Sequence, residues 1–137
     1  MRSPSAASHT LARRFAFDLT GLPPTVDEVE AATQLLASEV PRCAELIELP
    51  HRTWEGRTSH ALRLGKGRGS RRPGICLIGG VHGREWGSPD ILLFFALQLL
   101  DAWVEGRGIQ LGRKRFSAAA IRALLERKDI VIFPQVN

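Results

Sequence analysis

Hydrophobic residues recur at helical spacing between positions 25 and 39. Four of them share one side of such a helix: Val29, Ala32, Leu35 and Leu36. Ahead of them, Thr25 and Glu28 have the spacing of a capping box, in which each side chain accepts a hydrogen bond from the other residue's backbone N–H. The pattern predicts a helix that begins after Thr25 and ends near Glu39.

Two later stretches repeat this periodicity, at 88–104 and 117–127. In the first, Ser88 can cap the helix, Pro89 suits the first helical position, and Asp90 lies at the positive end of the helix dipole. The second begins at a serine that can cap in the same way. The glycine-rich residues between the two stretches are expected to form a plain link.

Four short runs have the composition of β-strands: 44–49, 59–64, 75–79 and 130–135. The first two alternate loosely and predict an antiparallel pair. The run 75–79 is fully apolar, which is typical of a strand buried on both faces. The run 130–135 is expected to be another buried strand, and the helices between the two predict parallel pairing. The fold class is therefore expected to be α/β, with a partial mixed β-sheet and flanking helices in the order α-β-β-β-α-α-β.

Composition agrees with a folded domain, since 44% of the 137 residues are apolar and 24% are charged. These fractions exclude wholesale disorder and a disulfide scaffold. No run approaches the roughly 18 continuous apolar residues of a membrane span, so no membrane partner is expected. Residues 1–24 are expected to form a leader outside the folded region; no signal peptide is visible there, and localisation and oligomeric state stay open.

The chain carries a net charge of +5, and six of its basic residues lie in the segment 57–72. Such a run could attract nucleic acid, but it has no aromatic residues on which bases could stack. We expect a solvated arginine-rich loop and no nucleic-acid partner. The two cysteines, Cys43 and Cys76, match no zinc or redox spacing, and Cys76 is expected to be buried in its apolar run.

His82 and Glu85 are the strongest chemical signal in the sequence. They directly follow the apolar run 75–79, at the position where open α/β sheets bind ligands. Their three-residue spacing around a helix start lets an imidazole and a carboxylate converge, and these are two of the three protein ligands in the His₂Glu type of zinc site. The alternative for so short a pattern is an exposed histidine beside a helix-capping glutamate.

Three longer motifs resemble one family, the zinc carboxypeptidases or M14 metallopeptidases. GGVHGREWGSPD, at 79–90, resembles the family's first metal-ligand motif. LIELPHRTWEGRTSHALRLG, at 46–65, resembles its opening β-hairpin. FSAAAIRALLERKDIVIFPQVN, at 116–137, resembles the helix and strand that lead into its Asn-Pro-Asp-Gly turn. The resemblance implies a zinc-carboxypeptidase-like (phosphorylase/hydrolase-like) fold, of which residues 25–137 would be the N-terminal part.

The resemblance also implies roles for individual residues. His82 and Glu85 match the first two ligands of a single Zn²⁺ ion, and Arg84 falls where many members carry an arginine near the outer substrate subsites. Trp86 is expected to pack under the site, and Asn137 to begin the turn. In the intact family, zinc activates a water that a glutamate deprotonates, and the substrate is the C-terminus of a peptide or protein.

The family places its second zinc histidine, its carboxylate-binding residues and its catalytic glutamate after that turn. We therefore expect a truncated metallocarboxypeptidase with an incomplete zinc site, no catalytic residue within this chain, and no activity alone. The remaining histidines, His9, His51 and His60, are expected at exposed polar positions.

Two alternatives remain open at this point. One is a fragment of a related zinc deacylase, of the aspartoacylase or succinylglutamate desuccinylase type, which shares a His-Gly-x-Glu word. The other is a non-enzymatic basic remnant that binds anions through residues 57–72.

Overall fold

Three helices and six strands make up the part of the chain described by the computed structural model, residues 24–67 and 72–136. In chain order they are α1 (Val26–Glu39), β1 (Ala44–Glu48), β2 (His60–Leu64), β3 (Gly74–Ile78), α2 (Gly87–Glu105), β4 (Ile109–Leu111), β5 (Lys114–Phe116), α3 (Ala118–Arg127) and β6 (Asp129–Phe133). The expected leader lies outside the described residues except for Pro24, and His9 and Asn137 also lie outside them.

Four strands form a mixed sheet in the order β1-β2-β6-β3. The β1–β2 pair is antiparallel, with Leu46 opposite Leu62, and β2 is antiparallel to β6. Strand β3 runs parallel to β6, with Cys76 opposite Val131. The antiparallel pair, the parallel pair and the α/β class predicted from the sequence are therefore confirmed.

All buried residues of the four-stranded sheet except Ala61 come from one face. Their side chains join the residues of all three helices in a single apolar core, and on β2 and β6 they are Leu62, Leu64, Ile130 and Ile132. Residues between them, such as Val131 and the polar Arg63, face the other way and are only partly covered. This period-two alternation is that of a sheet packed against helices on one face.

The sequence analysis predicted that β3 is buried on both faces, and within the described residues it is not. There the strand ends the order of the sheet, and Ile75 and Ile78 are 55% and 56% exposed. Cys76 is also exposed, whereas Cys43 is buried, and both thiols are free. Burial raises the pKa of the Cys43 thiol. An apolar run of this length is compatible with an edge as well as a centre, because composition does not say how many neighbours a strand has.

Helix starts follow the predicted capping residues in two cases of three. Thr25 Oγ1 accepts from the Glu28 N–H at 3.2 Å and the Glu28 carboxylate accepts from the Thr25 N–H at 2.8 Å, so the capping box is present. Ser117 caps α3 by accepting from the Ala120 N–H. Ser88 does not cap α2; it lies one residue inside the helix, where its hydroxyl serves the preceding turn.

The glycine-rich link after α2 contains a hairpin that the sequence analysis missed. Strands β4 and β5 pair with Ile109 opposite Phe116, and Gly112 occupies the turn between them with a φ of +59°. A two-residue hairpin turn with glycine first requires this left-handed conformation. The Gly112-Arg113 pair was the available signal, but strands of three residues give little periodicity to detect.

Helix α2 has the length and apolar composition of a membrane-spanning helix. Eight of its residues are buried in this structure, and six of them are apolar members of the core cluster: Leu93, Ala96, Leu97, Leu99, Leu100 and Ala102. Packing against the rest of the described fold accounts for these buried residues, whereas Ile91, Phe94 and Val104 are exposed.

The basic segment is not a uniformly solvated loop. Arg63 and Arg72 are largely buried, and both approach Asp129 Oδ1, at 3.1 and 3.6 Å. Arg72 also donates to the carbonyl oxygens of Leu125 and Lys128 at the end of α3. These two guanidinium groups hold β2, the start of β3 and the α3–β6 junction together, so they are not available as a nucleic-acid surface. Arg57 remains half exposed and pairs with Asp27 at 2.7 Å.

Candidate metal centre

The turn that carries His82 begins at a tight crossing of backbone segments. The Gly79 N–H donates to the Phe133 carbonyl, and the Val136 N–H donates to the Gly79 carbonyl. A Cβ atom on Gly79 would lie 2.6 Å from the Pro134 carbonyl oxygen and 2.9 Å from a methyl carbon of Leu92. Only glycine fits between these groups, so β6 and α2 together fix where β3 ends.

Ser88 ties the turn to the first turn of α2. Its hydroxyl accepts from the Gly80 N–H at 2.7 Å and donates to the Glu85 carbonyl at 2.9 Å. Gly80 has a φ of +56°, a left-handed conformation that glycine adopts without steric cost. The backbone on both sides of the histidine is therefore anchored to the same hydroxyl group.

His82 and Glu85 meet at the open side of this turn. His82 Nδ1 lies 2.9 Å from Glu85 Oε1, and the Glu85 N–H donates to the His82 carbonyl, also at 2.9 Å. Both side chains face solvent, with 66% and 51% of their surfaces exposed. The hydrogen bond from His82 lowers the pKa of the Glu85 carboxyl below its usual range. The predicted convergence of the two side chains is thus present.

The two donor atoms are of the right types for zinc and lie close enough to share one ion. Two ligand atoms on one tetrahedral zinc lie roughly 3.3 Å apart, given zinc–ligand distances near 2.0–2.1 Å, so the observed separation needs only a small adjustment. Across the residues that the structure describes, there is no group of three His, Cys, Asp or Glu side chains that could hold a metal ion. The pair therefore fits as part of a zinc site.

Two neighbours of the pair, Arg84 and Trp86, had positions predicted from the sequence. Arg84 is exposed on the same turn. Trp86 does not pack under the site: its side chain is exposed, and its Nε1–H donates to the Gly83 carbonyl at 2.7 Å. Because that local bond satisfies the indole N–H, the exposed side chain needs no buried hydrogen-bond partner.

A second histidine–carboxylate pair was missed by the sequence analysis. His60 Nδ1 is buried and contacts Glu30 Oε1, so His60 is not at an exposed position, whereas His51 is. The pair joins β2 to α1 and lines a cavity of about 550 Å³ together with Trp54 and Arg57. The two residues are far apart in the sequence, and only the packing of α1 on the sheet brings them together.

Comparison with known proteins agrees with this geometry. The sequence model of the zinc carboxypeptidase family, Peptidase M14, matches residues 29–137. The zinc carboxypeptidase A 1 of Anopheles gambiae is 35% identical over 113 residues, which is 82% of this chain and 22% of that protein. Carboxypeptidase B of Homo sapiens is 31% identical over 111 residues, 81% of this chain and 23% of that protein.

Solved structures show the same fold at lower identity. The crystal structure of thrombin activatable fibrinolysis inhibitor superposes with a TM-score of 0.65 and 18% identity, over 93% of this chain and 31% of that one. The fold and its helix-linked turn after β3 thus define a mixed α/β domain of the metallocarboxypeptidase class. The chain belongs to the zinc carboxypeptidase family, and it spans about a fifth of the length of the curated relatives it matches. Neither the deacylase nor the basic-remnant alternative is favoured by these matches.

Proposed function

We propose that this chain supplies the first two protein ligands of the zinc site of a metallocarboxypeptidase, His82 through Nδ1 and Glu85 through its carboxylate. The observation that carries the proposal is the 2.9 Å approach of these atoms on an exposed turn directly after β3. Within this proposal, residues 25–137 form the N-terminal part of the zinc carboxypeptidase domain, and residues 1–24 form a leader to it.

The turn contributes positioning as well as donor atoms. The Ser88 hydroxyl and the close packing at Gly79 hold the backbone on either side of the pair. The two side chains can therefore converge although both are exposed. A bound zinc ion would activate a water and polarise the carbonyl of a peptide bond. His82 binds as the neutral imidazole and Glu85 as the carboxylate, the forms that metal binding requires.

The substrate class follows from the family, and we propose a peptide or protein C-terminus. Arg84 lies on the same exposed turn, two residues from one ligand and next to the other, so its guanidinium is placed to contact the chain of a bound peptide. The residues described here include no third donor for the metal. Catalysis therefore needs groups beyond His82 and Glu85, and these two side chains alone are expected to give no carboxypeptidase activity.

Zinc binding by the purified 137-residue chain tests the proposal. We expect one weakly bound zinc ion per chain, measured by equilibrium dialysis at neutral pH with the metal assayed by atomic absorption. His82→Ala and Glu85→Ala should each weaken binding at least about tenfold, since each removes one of very few ligands.

Two further variants serve as matched controls. His60→Ala removes the histidine of the other histidine–carboxylate pair, and His51→Ala removes an exposed histidine. Both should bind zinc as the unaltered chain does. Equal zinc uptake by all five proteins would overturn the assignment of His82 and Glu85.

A further inference from the structure

The segment that contains the β4–β5 hairpin is basic and holds no acidic residue. Residues 106–125 include five Arg or Lys residues and no Asp or Glu. In the other basic segment, 57–72, three arginines pair with carboxylates of the described fold. To the ion pairs of the described residues the hairpin segment contributes Arg107 alone, which pairs with Glu105. Most of its positive charge is therefore not neutralised within the described fold.

Three of these cations lie next to one another at the tip of the hairpin. Arg113 is in the turn, and Lys114 and Arg115 begin β5. All three are exposed, and no carboxylate of the described residues pairs with any of them. Arg115 Nε donates to the neutral Gln110 Oε1 at 3.1 Å, so its charge also stays uncompensated.

An aliphatic side chain lies among these charges. Leu111 is directly opposite Lys114, so the two side chains share one face of the hairpin, and Leu111 is 41% exposed. Phe116, two residues along the same face, is 39% exposed. Its partner Ile109 is buried in the core and anchors the base of the hairpin. The tip thus combines exposed apolar surface with positive charge.

The hairpin is separated from the candidate metal centre by the length of α2. This helix begins two residues after Glu85, and its 19 residues span about 28 Å. Strand β4 begins four residues after its end. A partner bound at the hairpin would therefore leave His82 and Glu85 uncovered. The charges belong to the sequence between α2 and α3 and are the same however long the chain is.

We propose that the β4–β5 hairpin docks on a membrane surface rich in anionic lipid, with Leu111 among the headgroups and the three cations against the lipid phosphates. Guanidinium groups donate paired hydrogen bonds to phosphate oxygens, and an ammonium group binds them as a point charge. A nucleic acid or a sulfated glycan also offers anions, but it offers no apolar layer for Leu111. The exposed leucine therefore favours lipid.

This mode of binding differs from crossing a bilayer. The expectation of no membrane partner rests on the lack of a spanning run in the sequence, whereas the hairpin lies on the surface of the bilayer. Each Lys or Arg near an anionic membrane strengthens binding roughly fivefold, so three favour it over a neutral membrane on the order of a hundredfold. Dissolved ions screen exposed charges, so the attachment is reversible and sensitive to salt.

Co-sedimentation of the 137-residue chain with lipid vesicles tests the proposal. Vesicles of phosphatidylcholine and phosphatidylserine in a roughly 7:3 ratio should bind the chain about a hundredfold more strongly than phosphatidylcholine alone, and about 0.5 M NaCl should release it. Arg113→Glu combined with Lys114→Glu should weaken binding at least about twentyfold. Arg42→Glu combined with Arg52→Glu makes the same change in net charge at exposed positions outside the hairpin. This control should stay within about threefold of the unaltered chain.

A second variant separates lipid from a soluble polyanion. Leu111→Ser keeps every charge and should weaken binding to the anionic vesicles at least about threefold, because it removes the apolar contact. Its binding to heparin and to duplex DNA should equal that of the unaltered chain. Circular dichroism confirms that each variant is folded.

Three results would overturn the proposal: no preference for anionic vesicles at low salt, equal weakening by the hairpin and control reversals, or vesicle binding that Leu111→Ser does not change. Tighter binding to heparin or DNA than to the anionic vesicles would also overturn it and assign the hairpin to that polyanion. His82→Ala should bind vesicles unchanged, so this proposal and the zinc proposal fail independently.

Discussion

Two histidine–glutamate pairs lie within the described part of the chain, and they differ in sequence separation, burial and surroundings. His82 and Glu85 lie three residues apart on an exposed turn. His60 and Glu30 come from a strand and a helix, and only 15% and 29% of their side-chain surfaces are exposed. The carboxylate of Glu30 also accepts from Gln34 Nε2 at 2.8 Å, so it is held within its own helix as well.

The difference shows what makes such a pair available for chemistry. In a pair that joins two elements the side chains already contact each other inside the fold, and a ligand would have to displace that contact. A pair on an exposed turn costs the fold little and keeps its atoms accessible, while the backbone beneath it is held by Ser88 and Gly79. The enclosed pair should therefore affect stability, and the exposed pair should affect binding.

The largest effect on stability is expected for the enclosed pair. His60→Ala and Glu30→Ala should each lower the free energy of unfolding by about 1–3 kcal/mol, because each leaves a partly buried polar group without its partner. His82→Ala should leave stability within experimental error of the unaltered chain. Urea denaturation followed by circular dichroism measures both, and equal losses at the two sites would contradict the distinction.

A smaller effect is expected in the response of each pair to salt. The coupling energy of His60 and Glu30, from a double-mutant cycle, should be on the order of 1 kcal/mol and largely persist in 1 M NaCl, because contacts between partly buried groups are screened less than exposed ones. The coupling of His82 and Glu85 should vanish under the same conditions. Should both couplings disappear in salt, the enclosed pair would behave as a surface pair and the contrast would be wrong.

The smallest effect concerns Asp90, a buried carboxylate in the first turn of α2. Burial, with the like charge of Glu28 as a second cause, raises its pKa above the ordinary value for aspartate. Below that ordinary pKa the group is protonated in both folded and unfolded chains and has no effect on stability. As pH rises through the raised pKa of the folded state, burying the charge costs stability, which therefore falls.

Asp90→Asn removes this dependence. Its free energy of unfolding relative to the unaltered chain should increase between pH 3 and pH 7, as measured by urea denaturation at each pH. A constant difference across that range would show that Asp90 is not penalised by its burial. Glu85, five residues earlier, has its pKa lowered by the hydrogen bond from His82, whereas burial raises the pKa of Asp90. A hydrogen-bonding partner and burial thus shift a carboxyl pKa in opposite directions.

Features that depend on local sequence were predicted well. The capping residues Thr25 and Ser117 fixed two helix starts to the residue, and the spacing of His82 and Glu85 was sufficient to predict that they meet. Each of these depends on contacts between residues three apart, which a helical or turn conformation brings together without further information.

Features that depend on neighbours in space were not predicted. The apolar β3 was predicted to be buried on both faces, whereas within the described residues it has one neighbouring strand and exposed side chains. Arg63 and Arg72 were assigned to solvent because nothing in the sequence shows that Asp129 and the end of α3 lie beside them. The contact of His60 with Glu30 likewise requires knowing how α1 crosses the sheet.

The position of β6 has a consequence for how the domain forms during synthesis. Strands β2 and β3 follow each other along the chain, yet they are not neighbours in the sheet, because β6 lies between them. Among the described strands β6 is made last, so the ribosome must deliver Asp129–Phe133 before β2 and β3 can share one sheet. Closing such long loops slows folding. Until then β2 is paired with β1 alone, and the apolar β3 has no partner among the described strands, so its side chains are exposed to aggregation.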